Sequence, residues 1–226
     1  TMAPFFLKYI KKPTVYYCPQ PRRNDVILTK LDEYVEPKHS PFKRIIFKVI
    51  NERSSKKDFK IDKDNSSFAK YILANSYFTH ESILRAYGLN SFVSYLGIDT
   101  NIFKPLETPK EDFILSVGTI TPSKGYDFII RSLSMIEPKI RPKFVIVSNA
   151  GDKLWENYLK ELCNQLNVDI EILRLITDKE LVELYNKAKL VVFAPYLEPF
   201  GLVPLESMAC GTPVVAVKEG GMRETV

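Results

Sequence analysis

From Asp112 onward, apolar runs alternate with stretches whose apolar residues recur at helical spacing. Strands are predicted at Phe113–Val117, Phe144–Ser148, Asp169–Leu173, Leu190–Ala194 and Val214–Val217, most too uniformly apolar to leave a face in water. Helices are predicted between them, over Tyr126–Ile136, Leu154–Leu166, Lys179–Lys187 and Pro204–Ala209. That alternation predicts a parallel sheet covered by helices, a doubly wound, Rossmann-like α/β unit. The first hundred residues are less regular. Strands are predicted at Val15–Cys18, Tyr71–Ala74 and Phe92–Tyr95, with a helix from Glu81 to Tyr87 stopped by Gly88. Asn51–Ser67 is polar and charged and reads as a surface loop. Pro105 and Pro109 mark a linker, so the expected division is into residues 1–105 and 106–226.

Composition narrows the class. A chain of 226 residues, 45% of them hydrophobic, is long enough for two small domains. It contains no apolar run near the ~20 residues of a membrane-spanning helix and no leader pattern at its start, which predicts a soluble, cytoplasmic protein. Cys18, Cys163 and Cys210 are odd in number, far apart and set among apolar residues, as expected of buried reduced thiols. With only His39 and His80 as imidazoles, neither near a cysteine, no metal site is expected. Both ends look cut: the chain opens on Thr1 before Met2 and stops at Val226, shortly after Gly220-Gly221. The expectation is therefore a fragment, incomplete in both units.

Charge is uneven. Residues 1–60 hold 14 Lys+Arg against 6 Asp+Glu, and the remainder hold 18 against 21. No nucleic-acid motif accompanies this basic half, and an anionic membrane surface or a phosphate-bearing substrate fits at least as well. Phe42, Ile45, Ile46, Val49 and Ile50 lie at i, i+3, i+4, i+7 and i+8 among Lys43, Arg44, Lys48 and Arg53. This predicts a basic amphipathic helix near 42–53, a candidate for peripheral contact with the inner face of a membrane, or a helix packed on its own core. Arg22 and Arg23 are candidates for facing an anionic substrate, or are solvated loop charges.

Two segments can carry chemistry. In Glu198-Pro-Phe-Gly-Leu-Val-Pro-Leu-Glu206, Gly201 lets the backbone approach a ligand and Pro204 suits a first helical turn. The amides at Gly201, Leu202 and Val203 then face outward, reinforced by the helix dipole, as a site for hydroxyl or phosphate oxygens. Glu206 lies one turn in, where a carboxylate can accept from a ribose diol, and Glu198 stands where it can engage sugar hydroxyls. Two glutamates eight apart are by themselves also what helix capping and solvation produce. The second segment, residues 113–125, runs from a strand through Gly118 and Thr119 to Lys124 at a helix start. Its loop opens at the edge of the sheet where ligands bind, and Lys124 can neutralise a diphosphate, or is by itself a solvated helix-start residue with Gly118 a turn glycine.

Together these residues resemble the family-4 retaining glycosyltransferases of the GT-B fold, in which two Rossmann-like domains face each other across a cleft. The resemblance rests on Ser-Val-Gly-Thr-Ile-Thr-Pro-Ser-Lys-Gly at 116–125, Leu-Val-Glu-Leu-Tyr-Asn-Lys-Ala at 181–188, Glu198 to Glu206, Ala-Cys-Gly-Thr-Pro-Val-Val at 209–215, and Gly220-Gly221 with Glu224. Tyr71-Ile-Leu-Ala-Asn-Ser76 and Tyr95-Leu-Gly-Ile-Asp99 add a looser likeness earlier. It implies a partial acceptor-side domain over 1–105 and a C-terminally truncated nucleotide-sugar-binding domain over 106–226. It further implies transfer of a hexose from a UDP- or GDP-linked sugar to a glycan or lipid-linked acceptor, with retained configuration and neither cofactor nor metal.

By matching position, Glu198 is the catalytic candidate and contacts the donor sugar, Lys124 binds the diphosphate with Gly118 and Thr119 beside it, and Glu206 binds the ribose. Leu175 and Ile176 hold the base, and Gly201, Leu202 and Val203 offer amides. Thr119 departs from the family, which usually places an Arg there. A non-catalytic nucleotide-sugar-binding or protein-interaction module of the same fold is the alternative, and this chain alone is expected to turn nothing over.

Overall fold

The computed structural model describes residues 3–22 and 56–226. They divide into two units, Thr1–Leu96 and Gly97–Val226. In the first, β1 (Val15–Cys18), β2 (Tyr71–Ala74) and β3 (Phe92–Val93) form a parallel sheet in that order. The strand expected to reach Tyr95 ends at Val93; the Ser94 amide still donates to the Ala74 carbonyl, but Tyr95 turns to pack its ring edge-on against Tyr77. Among the described residues, three helices accompany this sheet: α1 (Ala3–Leu7), α2 (56–66) and α3 (Tyr77–Tyr87). Ser76 caps α3 through the Thr79 amide, so the helix begins four residues before the expected Glu81, while Gly88 stops it where the sequence predicts, in the left-handed conformation.

Helix α2 corrects the reading of 51–67 as a surface loop. Its inward face is polar, with Asp62, Asn65 and Ser66 buried and only Phe59 contributing a ring, against Tyr87. An apolar stripe never forms, so hydrophobic periodicity is silent. The anchor is an ion pair instead: Arg22 Nε lies 2.7 Å from the carboxylate of the buried Asp62, with Asp58 at 3.3 Å. Arg22 is thus an ion-paired side chain rather than a solvated loop charge. Arg23, His39 and the basic stretch 42–53 lie outside the described residues.

The second unit is a five-stranded parallel sheet in the order β6-β5-β4-β7-β8, built from β4 (Glu111–Val117), β5 (Lys143–Val147), β6 (Ile170–Leu173), β7 (Ala188–Phe193) and β8 (Val214–Ala216). Each strand lies within two residues of its expected bounds. The central strands are buried on both faces, with Leu115, Phe144, Ile146 and Val191 fully enclosed. Alternation sorts their side chains. Phe113, Leu115, Val145 and Val147 form one core with Val182 and Tyr185 of α6 (Asp178–Lys187). On β5 the alternate residue Phe144 meets Tyr126 of α4 (Tyr126–Ser134), ring centroids 6.4 Å apart.

Helix α5 (Lys153–Leu166) buries Trp155, Leu159, Leu162 and Cys163 along one face. Asp152 caps its start and Asn167 ends it with φ 53°. α7 (Leu202–Ala209) and α8 (Met222–Thr225) complete the unit. The segment before β4 packs on this unit: the Leu106 amide donates to Asn186 Oδ1 at 2.7 Å, and Asn186 Nδ2 returns a bond to the Lys104 carbonyl. All three cysteines are free and buried. Among the described residues, no helix is long and apolar enough to cross a membrane.

Candidate functional site

From β4 the chain passes outward to β5 and β6, then returns to the other side of β4 for β7 and β8. The loops after β4 and β7 therefore part at the topological switch point, where the ends of a parallel sheet open into a crevice. Both sequence segments lie there. After β4, Gly118 leads to exposed Thr119, and a short 3-10 turn, Pro122–Lys124, precedes α4. The Tyr126 hydroxyl donates to the Gly118 carbonyl at 3.0 Å, and the buried ring fixes the turn from below. Burial drives the Tyr126 phenol far above its ordinary pKa, so it acts only as a neutral hydrogen-bonding group.

Gly125 is required twice over at the next position. Its φ is +67°, and a Cβ there would lie 2.1 Å from the Ala194 carbonyl oxygen at the end of β7. That close approach, with the Tyr196 amide donating to the Ser123 carbonyl at 2.8 Å, ties the two loops together. The consequence is an ion pair across the switch point: Lys124 Nζ lies 2.9 Å from Glu198 Oε2, both side chains about three-quarters buried or more, at 24% and 20% exposure. The ammonium also lies 5.8 Å from the centre of the Phe193 ring, within cation–π range.

The Glu198 loop is held from behind. Its carbonyl accepts from the Gly221 amide at 2.8 Å, and the Phe200 carbonyl accepts from Thr225 Oγ1 at 3.2 Å. Leu197, just before Glu198, has φ +51°, a conformation uncommon for a leucine. Gly201, with φ +93°, then opens α7 with no side-chain cap. The amides of Leu202 and Val203 in that first turn consequently have no partner within the helix, and Pro204 has none to satisfy.

Glu206, one turn on, points to a different partner. Its Oε2 accepts from the Tyr185 hydroxyl of α6 at 2.6 Å. Burial raises the Glu206 carboxyl above the ordinary range; the Tyr185 hydrogen bond works against that rise, and the charge of Asp178 adds to it. Leu175 and Ile176 follow β6, two strands from β4. Leu175 is 85% exposed with φ +55°, and its amide donates to Asn149 Oδ1 at 2.7 Å, in the loop after β5. Ile176 packs inward on the sheet core. Thr177 then closes a capping box with Glu180 at the start of α6.

The structure thus brings Lys124 to Glu198 directly and sets Gly118, Gly201, Leu202 and Val203 in the two loops that flank that pair. Leu175 stands on a third loop of the same edge. The sequence pattern of the family described as Glycosyl transferases group 1 matches residues 97–226, the whole of this unit. The chain belongs to that family.

Curated relatives agree with the assignment. An uncharacterized glycosyltransferase of Methanocaldococcus jannaschii is 40% identical over 118 residues, 51% of this chain and 30% of that protein. A D-inositol 3-phosphate glycosyltransferase of Streptosporangium roseum is 31% identical over 150 residues, 58% of this chain and 34% of that protein. Among solved structures, Anabaena HepE in complex with UDP-glucose superposes with a TM-score of 0.73 at 22% identity, covering 96% of this chain and 56% of that one. The fold is that of the GT-B glycosyltransferases. In every one of these comparisons the matched region is less than two thirds of the relative.

Tyr185, Asn149 and Tyr126, which orient the expected site residues of this glycosyltransferase unit, escape a reading by local pattern. Tyr185 and Tyr126 look like core aromatics at helical spacing. Asn149 carried a usable signal, because a polar Ser-Asn-Ala-Gly run directly after a buried parallel strand marks a loop at the ligand-binding edge.

Proposed function

We propose that the chain is the nucleotide-sugar-binding part of a family-4 retaining glycosyltransferase, moving a hexose from a UDP- or GDP-linked donor to a glycan or lipid-linked acceptor. The observation that carries this reading is the Lys124–Glu198 pair, a cation and a hydroxyl-binding carboxylate 2.9 Å apart at the switch point of a parallel sheet. Lys124 takes the diphosphate, beside Gly118 and Thr119, and the amides of Gly201, Leu202 and Val203 add uncharged donors. Glu198 takes the sugar hydroxyls, Glu206 the ribose, and Leu175 with Ile176 the base.

Transfer breaks the bond between the anomeric carbon and the diphosphate oxygen, and negative charge grows on the departing nucleoside diphosphate. The Lys124 ammonium, once drawn from Glu198 to the phosphates, opposes that charge in a partly dehydrated site. In this reading the donor is the only small molecule called for. The UDP-glucose held by Anabaena HepE supports a nucleotide-sugar in the corresponding fold.

Thr119 favours a second reading, a module of this fold that binds without transferring, because a neutral side chain stands where the family usually has Arg. The deciding experiment follows nucleoside diphosphate release from UDP- and GDP-sugars by the complete protein. Release that depends on acceptor and disappears in Glu198→Ala supports the transferase; binding without release supports the module.

A further inference from the structure

We infer that Tyr185 is a positioning residue for this site: its hydroxyl holds the Glu206 carboxylate in a fixed orientation, and so sets how strongly the protein prefers a ribonucleotide. The inference rests on the assignment of Glu206 to the ribose. Tyr185 is fully buried, its ring set in the core beside Phe113 and Leu115 and edge-on to Phe103, with centroids 6.1 Å apart. The backbone is fixed as well. The Tyr185 carbonyl accepts from Thr212 Oγ1 at 2.6 Å, and that hydroxyl accepts from Lys110 Nζ at 2.6 Å. A side chain with so little freedom has one evident polar outlet, the 2.6 Å bond to Glu206 Oε2.

That bond does two things to Glu206. It commits Oε2 to the protein, so that Oε1 is left to accept from a cis-diol in a fixed direction. It also opposes the effect of burial, which favours the neutral carboxyl. A protonated carboxyl would offer a donor where a diol needs acceptors. The Tyr185 phenol itself is driven well above its ordinary pKa by burial and by Glu206, and remains a donor at every working pH. The other titratable groups acting here are Asp178 at the start of α6 and Cys210 at the end of α7, with Lys110 acting on Cys210. Asp178 pushes Glu206 in the same direction as burial, so within α6 the Tyr185 hydroxyl offsets a neighbour of its own helix.

Removing only that hydroxyl, by Tyr185→Phe, should raise the Glu206 carboxyl further. Diol binding needs the ionised form and is lost as pH falls through the carboxyl pKa, so the variant should lose it at a higher pH than the wild type. The test titrates the complete protein with UDP, GDP and their 2′-deoxy counterparts from about pH 5.5 to 8. For the variant, an acid limb about one pH unit higher is expected, with ribonucleotide binding about twofold weaker at the variant's midpoint, approaching tenfold well below it, and a smaller ribo-to-deoxy ratio.

Tyr185→Leu serves as the packing control, because it removes the ring as well and should lower thermal stability more than Tyr185→Phe. An acid limb and a ribo-to-deoxy ratio unchanged in Tyr185→Phe overturn the inference while leaving the site assignment standing. A wild type that binds neither nucleotide overturns both. A wild type that binds without ribose preference removes Glu206 from the ribose and the inference with it.

Discussion

Replacing Glu198 by Gln tests the switch-point pair directly, because the change removes the charge and one acceptor oxygen and leaves the shape nearly intact. The Lys124 ammonium is neutralised by Glu198 at 2.9 Å, so a diphosphate bound by Lys124 must take it away from the carboxylate. At an effective dielectric constant of about 20, opposite charges about 4 Å apart attract by about 4 kcal/mol. The side chains are 24% and 20% exposed, between the surface pairs that net about 0–1 kcal/mol and buried pairs whose loss of one partner costs about 3–5. A net competition of about 1–2 kcal/mol follows. Free UDP or GDP should therefore bind Glu198→Gln about 5- to 30-fold tighter than wild type. The sugar-linked donor should gain less, because the amide is a weaker acceptor for sugar hydroxyls than the carboxylate. Isothermal titration of both ligands at low and moderate salt gives both numbers. Equal or weaker binding of the free diphosphate by the variant would refute the competition.

Restoring a cation in the same loop, Thr119→Arg, should tighten nucleoside diphosphate binding about tenfold through one added charge-assisted contact, and should raise acceptor-dependent release if transfer is limited at the phosphates; titration and release assays read these separately. Glu206→Gln should stabilise the fold at neutral pH. The folded carboxyl is raised by burial above its unfolded value, so Glu206 opposes folding increasingly as pH rises from about 4.5 through the folded pKa. Thermal midpoints should show the variant ahead at pH 7 and level with wild type near pH 4, and a variant less stable at pH 7 contradicts this. Gly125→Ala should cost about 1–2 kcal/mol for the left-handed backbone and about 1–3 for overpacking against Ala194, measured by urea unfolding. It should also weaken diphosphate binding, because Lys124 precedes the displaced residue.

The parallel sheet of the second unit is legible because central strands of such sheets are buried on both sides, and a continuous apolar run is then an unambiguous pattern. The same logic fails for α2, where the buried face is Asp62, Asn65 and Ser66 and the attachment is an ion pair from Arg22, 40 residues away in sequence. Glu198 and Glu206 are adjacent in the sequence pattern yet separate in their chemistry. One is paired with Lys124 from the β4 loop and the other with Tyr185 from α6. Neither partner can be read from local spacing, because each comes from a different βα unit and is placed by the sheet. The left-handed backbone of Leu175 and Leu197 is likewise invisible in sequence, since both are residues that rarely adopt it. A glycine there would have been a signal; a leucine gives none.

In the proposed nucleotide-sugar site, Lys124 is the diphosphate-binding cation. Calorimetric titration of the complete protein with UDP, GDP and ADP, repeated on Lys124→Ala, measures that alone. Binding of at least one of the three by the wild type, weakened about tenfold or more in the variant, is the predicted result. Binding of none of them, or equal affinity in wild type and Lys124→Ala, would contradict it.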